Sequence, residues 1–65
     1  MASVNVGDKV VVAPRSREAR AFWQFVDGWR GVVFDFQGGY VGIQCMRPDG
    51  VKTLYVEPEN LALTV

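Results

Sequence analysis

The chain has 65 residues, of which 49% are apolar and 22% charged, and its seven basic residues balance seven acidic ones. A chain of this length buries about 60% of the surface of its unfolded form, which allows one small core and excludes a second. The composition is too apolar for intrinsic disorder, and zero net charge removes the long-range attraction behind most non-specific nucleic-acid binding. We therefore expect one folded domain over residues 1–65.

The first strand is predicted over residues 6–13, where a Gly-Asp turn leads into alternating side chains. Val10 and Val12 point to one side and their neighbours to the other, as in a strand with one buried face. Pro14 ends the strand, because proline has no N–H to donate to a neighbouring strand.

A long first loop follows over residues 15–28, and part of it has the spacing of an amphipathic helix. Ser16 is a suitable N-cap and Gly28 a suitable end, so the pattern predicts one to three helical turns. The alternative is an irregular loop whose aromatic rings pack over an open end of the sheet. The apolar residues at helical spacing are Ala19, Phe22, Trp23 and Val26.

Two hairpins account for the middle of the chain. Residues 29–36 and 40–46 are rich in β-branched and aromatic side chains, and the Gln-Gly-Gly between them supplies the positive φ angles of a tight turn. The Arg-Pro-Asp-Gly turn of residues 47–50 leads into a fourth strand over residues 51–56. A 3₁₀ turn over residues 58–61 and a last strand over residues 61–64 complete the sheet.

Strand alternation then predicts which side chains face the core. Val33 and Phe36 are expected inside on the second strand, with Phe34 outside. Tyr40 and Tyr55 are likewise expected to point outward. The other predicted core residues of the hairpins are Val41, Ile43, Cys45, Leu54 and Val56.

Three segments resemble the SH3-like small β-barrel superfamily, in particular its KOW-type branch. They are Val6–Val12 with its Gly-Asp-Lys-Val opening, Gly31–Phe36 and Pro58–Leu63. The resemblance implies an all-β fold, a small five-stranded SH3-like barrel, from which this chain departs only in the longer aromatic loop of residues 14–28. The superfamily includes ribosomal and transcription-factor modules, peptide-binding adaptors and small subunits of larger complexes, so membership implies binding rather than a particular chemistry.

The sequence shows no catalytic, metal or cofactor signature. Histidine is absent, which removes the usual general base and the commonest transition-metal ligand. Cys45 is the single cysteine, cannot form an intrachain disulfide and is expected to pack in the core. Because these catalytic groups are missing, we expect that the protein is not an enzyme. Because the sequence has no apolar run of membrane-spanning length and no signal-peptide pattern, we expect a cytoplasmic protein with no membrane association.

Aromatic and arginine residues are the features that favour a binding surface. Eight aromatic rings exceed what so small a core can bury, and arginine beside tryptophan or tyrosine is typical of binding hot spots and of base-stacking platforms. The alternative is that the loop covers the rings and the arginines are merely solvated. The predicted binding residues are Arg15, Arg17, Arg20, Trp23, Trp29, Arg30, Phe34, Tyr40 and Tyr55.

Three functions are compatible with these residues. A protein-interaction module that binds through the loop of residues 15–30 and the outward aromatics is favoured by zero net charge and surplus aromatics. It would self-associate or serve as a small subunit or regulator of a complex. A KOW-type module that binds RNA or DNA would stack bases on the rings. An accessory subunit or symmetric-pore protomer of an enzyme is the third.

Overall fold

Five strands form one antiparallel sheet in the computed structural model, which describes residues 4–64 of the chain. The spatial order is β4-β3-β2-β1-β5, so β4 and β5 are the edge strands. This all-β architecture confirms the predicted fold class and is compatible with an SH3-like fold. The elements in chain order are β1 (Lys9–Val12), α1 (Arg17–Phe22), β2 (Arg30–Gln37), β3 (Tyr40–Arg47), β4 (Gly50–Val56), a 3₁₀ turn (Pro58–Asn60) and β5 (Leu61–Leu63).

The core lies on one face of this sheet, and every strand contributes to it. Trp23, Val26 and Trp29, from the segment between β1 and β2, pack against this cluster and add to its cover. Strand alternation predicted most of the core positions, including the buried cysteine, but not Leu61. The buried apolar residues are Val10, Val12, Val33, Val41, Ile43, Cys45, Val56 and Leu61, with Leu54 packed against them.

A β-bulge interrupts the pairing of β2 with β3. Val33 pairs with Ile43, but Asp35 pairs with Gly42, so Phe34 is the extra residue. Phe36 is consequently opposite Val41 and shares its side of the sheet, as predicted. It is nevertheless 47% exposed rather than buried, because it lies close to the end of the β2–β3 hairpin.

The loop between β1 and β2 contains a helix of six residues. Ser16 caps it as predicted, its hydroxyl accepting a hydrogen bond from the Ala19 N–H at 2.9 Å. The helix ends at Phe22 rather than near Gly28, so the predicted apolar stripe does not continue. Trp23 and Val26 pack against the core, whereas Phe22 is 73% exposed, contrary to the helical pattern.

Candidate functional site

The side of β2, β3 and β4 that faces away from the core carries an exposed surface that we call the outer face. Cross-strand pairs assemble it, with Met46 opposite Val51 and Gly42 opposite Tyr55. Met46 is 79% exposed and Val51 53%. Charged side chains adjoin these residues, since Asp35 is opposite Gly42 and Lys9 is opposite Val32. The outer face consists of Val32, Phe34, Gly42, Gln44, Met46, Val51, Thr53 and Tyr55.

Two aromatic rings lie over Gly42 on this face. The Phe34 and Tyr55 centroids are 6.0 Å apart, with an interplanar angle of 63°, an edge-to-face arrangement. A Cβ atom at Gly42 would lie 2.9 Å from Tyr55 Cε2 and 3.1 Å from Phe34 Cε1. The missing side chain at Gly42 therefore leaves the space that both rings occupy, and the bulge at Phe34 brings the Phe34 ring into contact with Gly42.

A hydrogen-bonded carboxylate fixes the orientation of Tyr55. The Tyr55 hydroxyl donates to Asp35 Oδ2 at 2.9 Å, and the Gln37 side-chain amide donates to the same oxygen at 3.0 Å. The bond from Tyr55 is the main reason that the pKa of Asp35 is lowered, and Asp35 in turn raises the pKa of Tyr55. The ring is therefore held by its hydroxyl as well as by contact with Phe34.

Trp29 precedes β2 and Arg30 begins it, and the two side chains face opposite sides of the sheet. Trp29 is half-buried against the core, and Arg47 Cζ lies 4.2 Å from its ring centroid, within cation–π range. Arg30 is exposed at the margin of the outer face. Of the two predicted site residues, only Arg30 is thus available to extend the outer face.

The arginine-rich loop lies beside the 3₁₀ turn instead. The Arg15 N–H donates to Asn60 Oδ1 at 3.2 Å, and the Asn60 side-chain amide donates to Glu57 Oε1 at 3.1 Å. Arg20 Nη1 is 3.4 Å from the Arg15 carbonyl oxygen, to which it donates. Asn60 is only 5% exposed, so it acts as a buried polar tie between this loop and the 3₁₀ turn.

The same loop also carries exposed arginine side chains and aromatic rings. Arg15, Arg17 and Arg20 are all exposed. Phe22 and Trp23 make an edge-to-face pair with centroids 4.8 Å apart, so half-buried Trp23 supports exposed Phe22. The loop is therefore a second surface, attached to the 3₁₀ turn.

A groove of about 640 Å³ passes between the end of the β2–β3 hairpin and β5. Its apolar walls include Phe36, Tyr40 and Leu63, which are 45–47% exposed. Arg15 and Glu59 place one charge of each sign on its lining. Two of the predicted site residues, Arg15 and Tyr40, therefore meet here rather than on the outer face.

The predicted binding residues thus divide among several places. Phe34 and Tyr55 are joined on the outer face with Arg30 at its margin, Arg15 and Tyr40 line the groove, and the remaining loop residues lie with α1. Sequence reasoning missed Met46 and Val51, although the alternation that buries Cys45 already placed both outward. It also missed Leu63 as a groove residue, for which the sequence carries no comparable signal.

Reactive groups are few in the part of the chain that the structure describes. Residues 4–64 contain no cluster of three or more Cys, Asp or Glu side chains that could hold a metal ion. Burial raises the pKa of the Cys45 thiol, which favours its neutral form. No helix within residues 4–64 has the length and apolar character needed to cross a bilayer.

Comparison with protein-family models, curated proteins and solved structures finds no match to this chain.

Proposed function

We propose that this protein is a non-enzymatic protein-interaction module that contacts its partner through the outer face, as a small subunit or regulator of a larger complex. The observation that carries the proposal is the exposed ring pair of Phe34 and Tyr55, on the same face as exposed Met46 and Val51. The face is largely apolar, and the Asp35 carboxylate that adjoins it is hydrogen-bonded to Tyr55. Exposed apolar patches of this kind mark interfaces, whose centres are rich in aromatic residues and methionine and poor in charge.

The same face is poorly suited to nucleic acid. Phosphate groups are met by lysine and arginine, and binding weakens steeply with salt as counterions return. Arg30 and Lys9 are isolated cations at the margin of the outer face, whereas Arg17 and Arg20 lie on α1. A KOW-type module binding RNA or DNA would therefore depend on the loop, and charge changes there distinguish it from the proposed function.

The decisive variant places an opposite-charge pair on the outer face. Met46 and Val51 are directly opposite, so Met46→Lys with Val51→Glu removes apolar surface, keeps the net charge and preserves a favourable cross-strand pair. Affinity capture from the source cells with quantitative mass spectrometry measures the partner. We expect at least a tenfold loss of captured partner with the fold retained by circular dichroism.

Two further double variants locate the contact. Ala21→Lys with Gln24→Glu makes the same change at exposed loop positions and should leave capture unaltered. Arg17→Glu with Arg20→Glu tests the loop and, on our proposal, has a much smaller effect than the outer-face variant. If only the arginine variant abolishes capture, or if the wild type captures no protein but binds RNA or DNA at low salt, the proposal is wrong.

A further inference from the structure

Among residues 4–64, backbone groups on the edge of β5 that faces away from β1 have no strand partner. The Thr64 N–H donates to the Lys9 carbonyl at 2.9 Å, and the Ala13 N–H donates to the Asn60 carbonyl at 2.8 Å. Because bonding directions alternate along an antiparallel strand, Ala62 also faces β1, whereas Leu61 and Leu63 present their N–H and C=O groups to the other side. The Leu61 N–H is taken by the Pro58 carbonyl. Among residues 4–64, β5 pairs with β1 alone.

The groove of about 640 Å³ runs along this edge. Leu61, Ala62 and Leu63 all line it, although successive side chains of a strand point to opposite faces. A groove that reaches three consecutive residues must follow the edge of the strand rather than one of its faces. Across it lie Phe36 and Tyr40, so free backbone groups and exposed apolar side chains border the same space.

These two features together select the occupant. An extended polypeptide satisfies a free strand edge with main-chain hydrogen bonds and places alternate side chains in the adjoining pockets. A second copy of this chain fits poorly, because a two-fold contact would set one concave groove against another and leave the space unfilled. The two charged residues of the lining, Arg15 and Glu59, have opposite signs, so the groove favours a segment without net charge.

The opposite edge of the sheet is less suited to strand addition. On β4, Lys52 pairs with Cys45 and so shares the core side of the sheet. An inward-directed lysine is a device by which edge strands resist pairing with other chains. Lys52 also makes an ion pair with Asp49 at 3.3 Å, which holds it at this edge.

We infer that the groove beside β5 binds an extended, uncharged peptide segment of another protein, with alternating apolar side chains, which adds to β5 as a further strand. The site is separate from the outer face and does not depend on its function. Strand addition of this kind uses the Leu63 backbone for hydrogen bonds, and Phe36 and Tyr40 as the apolar wall.

The test titrates the full chain with four capped nine-residue peptides in which threonine alternates with valine, leucine, isoleucine or phenylalanine. Amide shifts measured by NMR should change at β5, Phe36 and Tyr40 for at least one peptide at 1 mM or below. The same peptide N-methylated at alternate residues keeps its side chains but loses main-chain donors, and should bind about tenfold more weakly or worse. Salt should change the affinity little.

Matched substitutions separate the groove from other surfaces. Phe36→Ser should weaken binding of the peptide about tenfold, whereas Phe22→Ser, at an exposed ring outside the groove, should not change it. Met46→Lys with Val51→Glu should also leave it unchanged, even if that variant loses the partner of the outer face.

Several results would overturn the inference. They are the absence of shifts with all four peptides at 1 mM, shifts confined to the outer face, and equal affinity for the N-methylated peptide. Concentration-dependent shifts at β5 without any peptide would show that a second copy occupies the edge instead.

Discussion

The side chains on the two faces of β3 differ in size and in their exposure to solvent. Val41, Ile43 and Cys45 point inward and are at most 1% exposed, while Met46 on the other face is 79% exposed. A domain this small has little internal space, so small and β-branched residues fill its core. Position in the alternation, more than hydrophobicity itself, therefore decides which apolar side chains remain available for binding.

The largest expected difference is between truncations on the two faces. Ile43→Ala should lower the free energy of unfolding by about 3 kcal/mol, because it removes buried methyl and methylene groups and leaves a cavity. Met46→Ala should change it by no more than about 0.5 kcal/mol, as at other exposed sites. Urea denaturation of both variants measures the difference, and similar losses would contradict the assignment of the faces.

Adding a methyl group sharpens the same comparison at two glycines. At Gly31 a Cβ would lie 2.8 Å from the Gln44 carbonyl oxygen, which the β2–β3 pairing holds in place, so Gly31→Ala should cost about 2–3 kcal/mol. At Gly42 the obstacles are the exposed ring edges of Phe34 and Tyr55, which can move, and Gly42→Ala should cost about 1 kcal/mol.

A double-mutant cycle tests the reason given for Gly42. In a Tyr55→Ala background the nearest ring is gone, so the cost of Gly42→Ala should fall, as measured by thermal or urea unfolding. Part of it should remain, because Phe34 Cε1 and Asp35 Cβ still lie 3.1 and 3.2 Å from the added Cβ. An unchanged cost would show that the ring contact is not what disfavours alanine there.

Two asparagines provide an intermediate effect. Asn60→Ala removes the buried partners of the Arg15 N–H and of Glu57, and should cost about 1–2 kcal/mol while speeding hydrogen exchange at Arg15. The matched change Asn5→Ala, at an exposed residue, should lower the free energy of unfolding by only a few tenths of a kcal/mol. Unaltered exchange at Arg15 would argue against the tie between the loop and the 3₁₀ turn.

The smallest effect concerns the hydroxyl of Tyr55. The folded state lowers the pKa of Asp35, so this bond stabilises the fold above about pH 4 and is lost as the pH falls through the lowered value. The pKa of Tyr55 is raised, so at the alkaline end stabilisation persists below about pH 10 and is lost as the pH rises through the raised value. Tyr55→Phe should return the pKa of Asp35 toward its ordinary range in carboxyl-carbon NMR titrations. A pKa that does not move would exclude Tyr55 as its main cause.

Local patterns predicted the strands and most of the core. Valine alternation at Val10 and Val12, the glycines of the first hairpin and the Pro-Asp-Gly turn act over a few residues, and the structure confirms them. Ser16 likewise caps the helix because its hydroxyl needs only a backbone N–H three residues away.

Features that depend on contacts between distant parts of the chain could not be predicted from local sequence patterns. Phe22 has core-like spacing, but the helix ends there and the ring stays exposed. The groove depends on β5 passing the β2–β3 hairpin, a meeting of segments more than 20 residues apart in sequence. Of the predicted binding residues, alternation could orient Phe34 and Tyr55, but it could not show that Arg15 and Tyr40 line one groove.

The extra residue at Phe34 shifts the pairing of the later β2 residues by one position relative to β3. If Phe34 were instead paired in the ladder, a register continuing from the pair of Val33 and Ile43 would put Phe36 opposite Tyr40 and Asp35 opposite Val41. The carboxylate would then turn toward the core side and the groove would lose a ring. The bulge therefore keeps Asp35 and Phe36 on their respective surfaces, so the spacing between Val33 and the hairpin is as informative as any side chain when this chain is compared with other sequences.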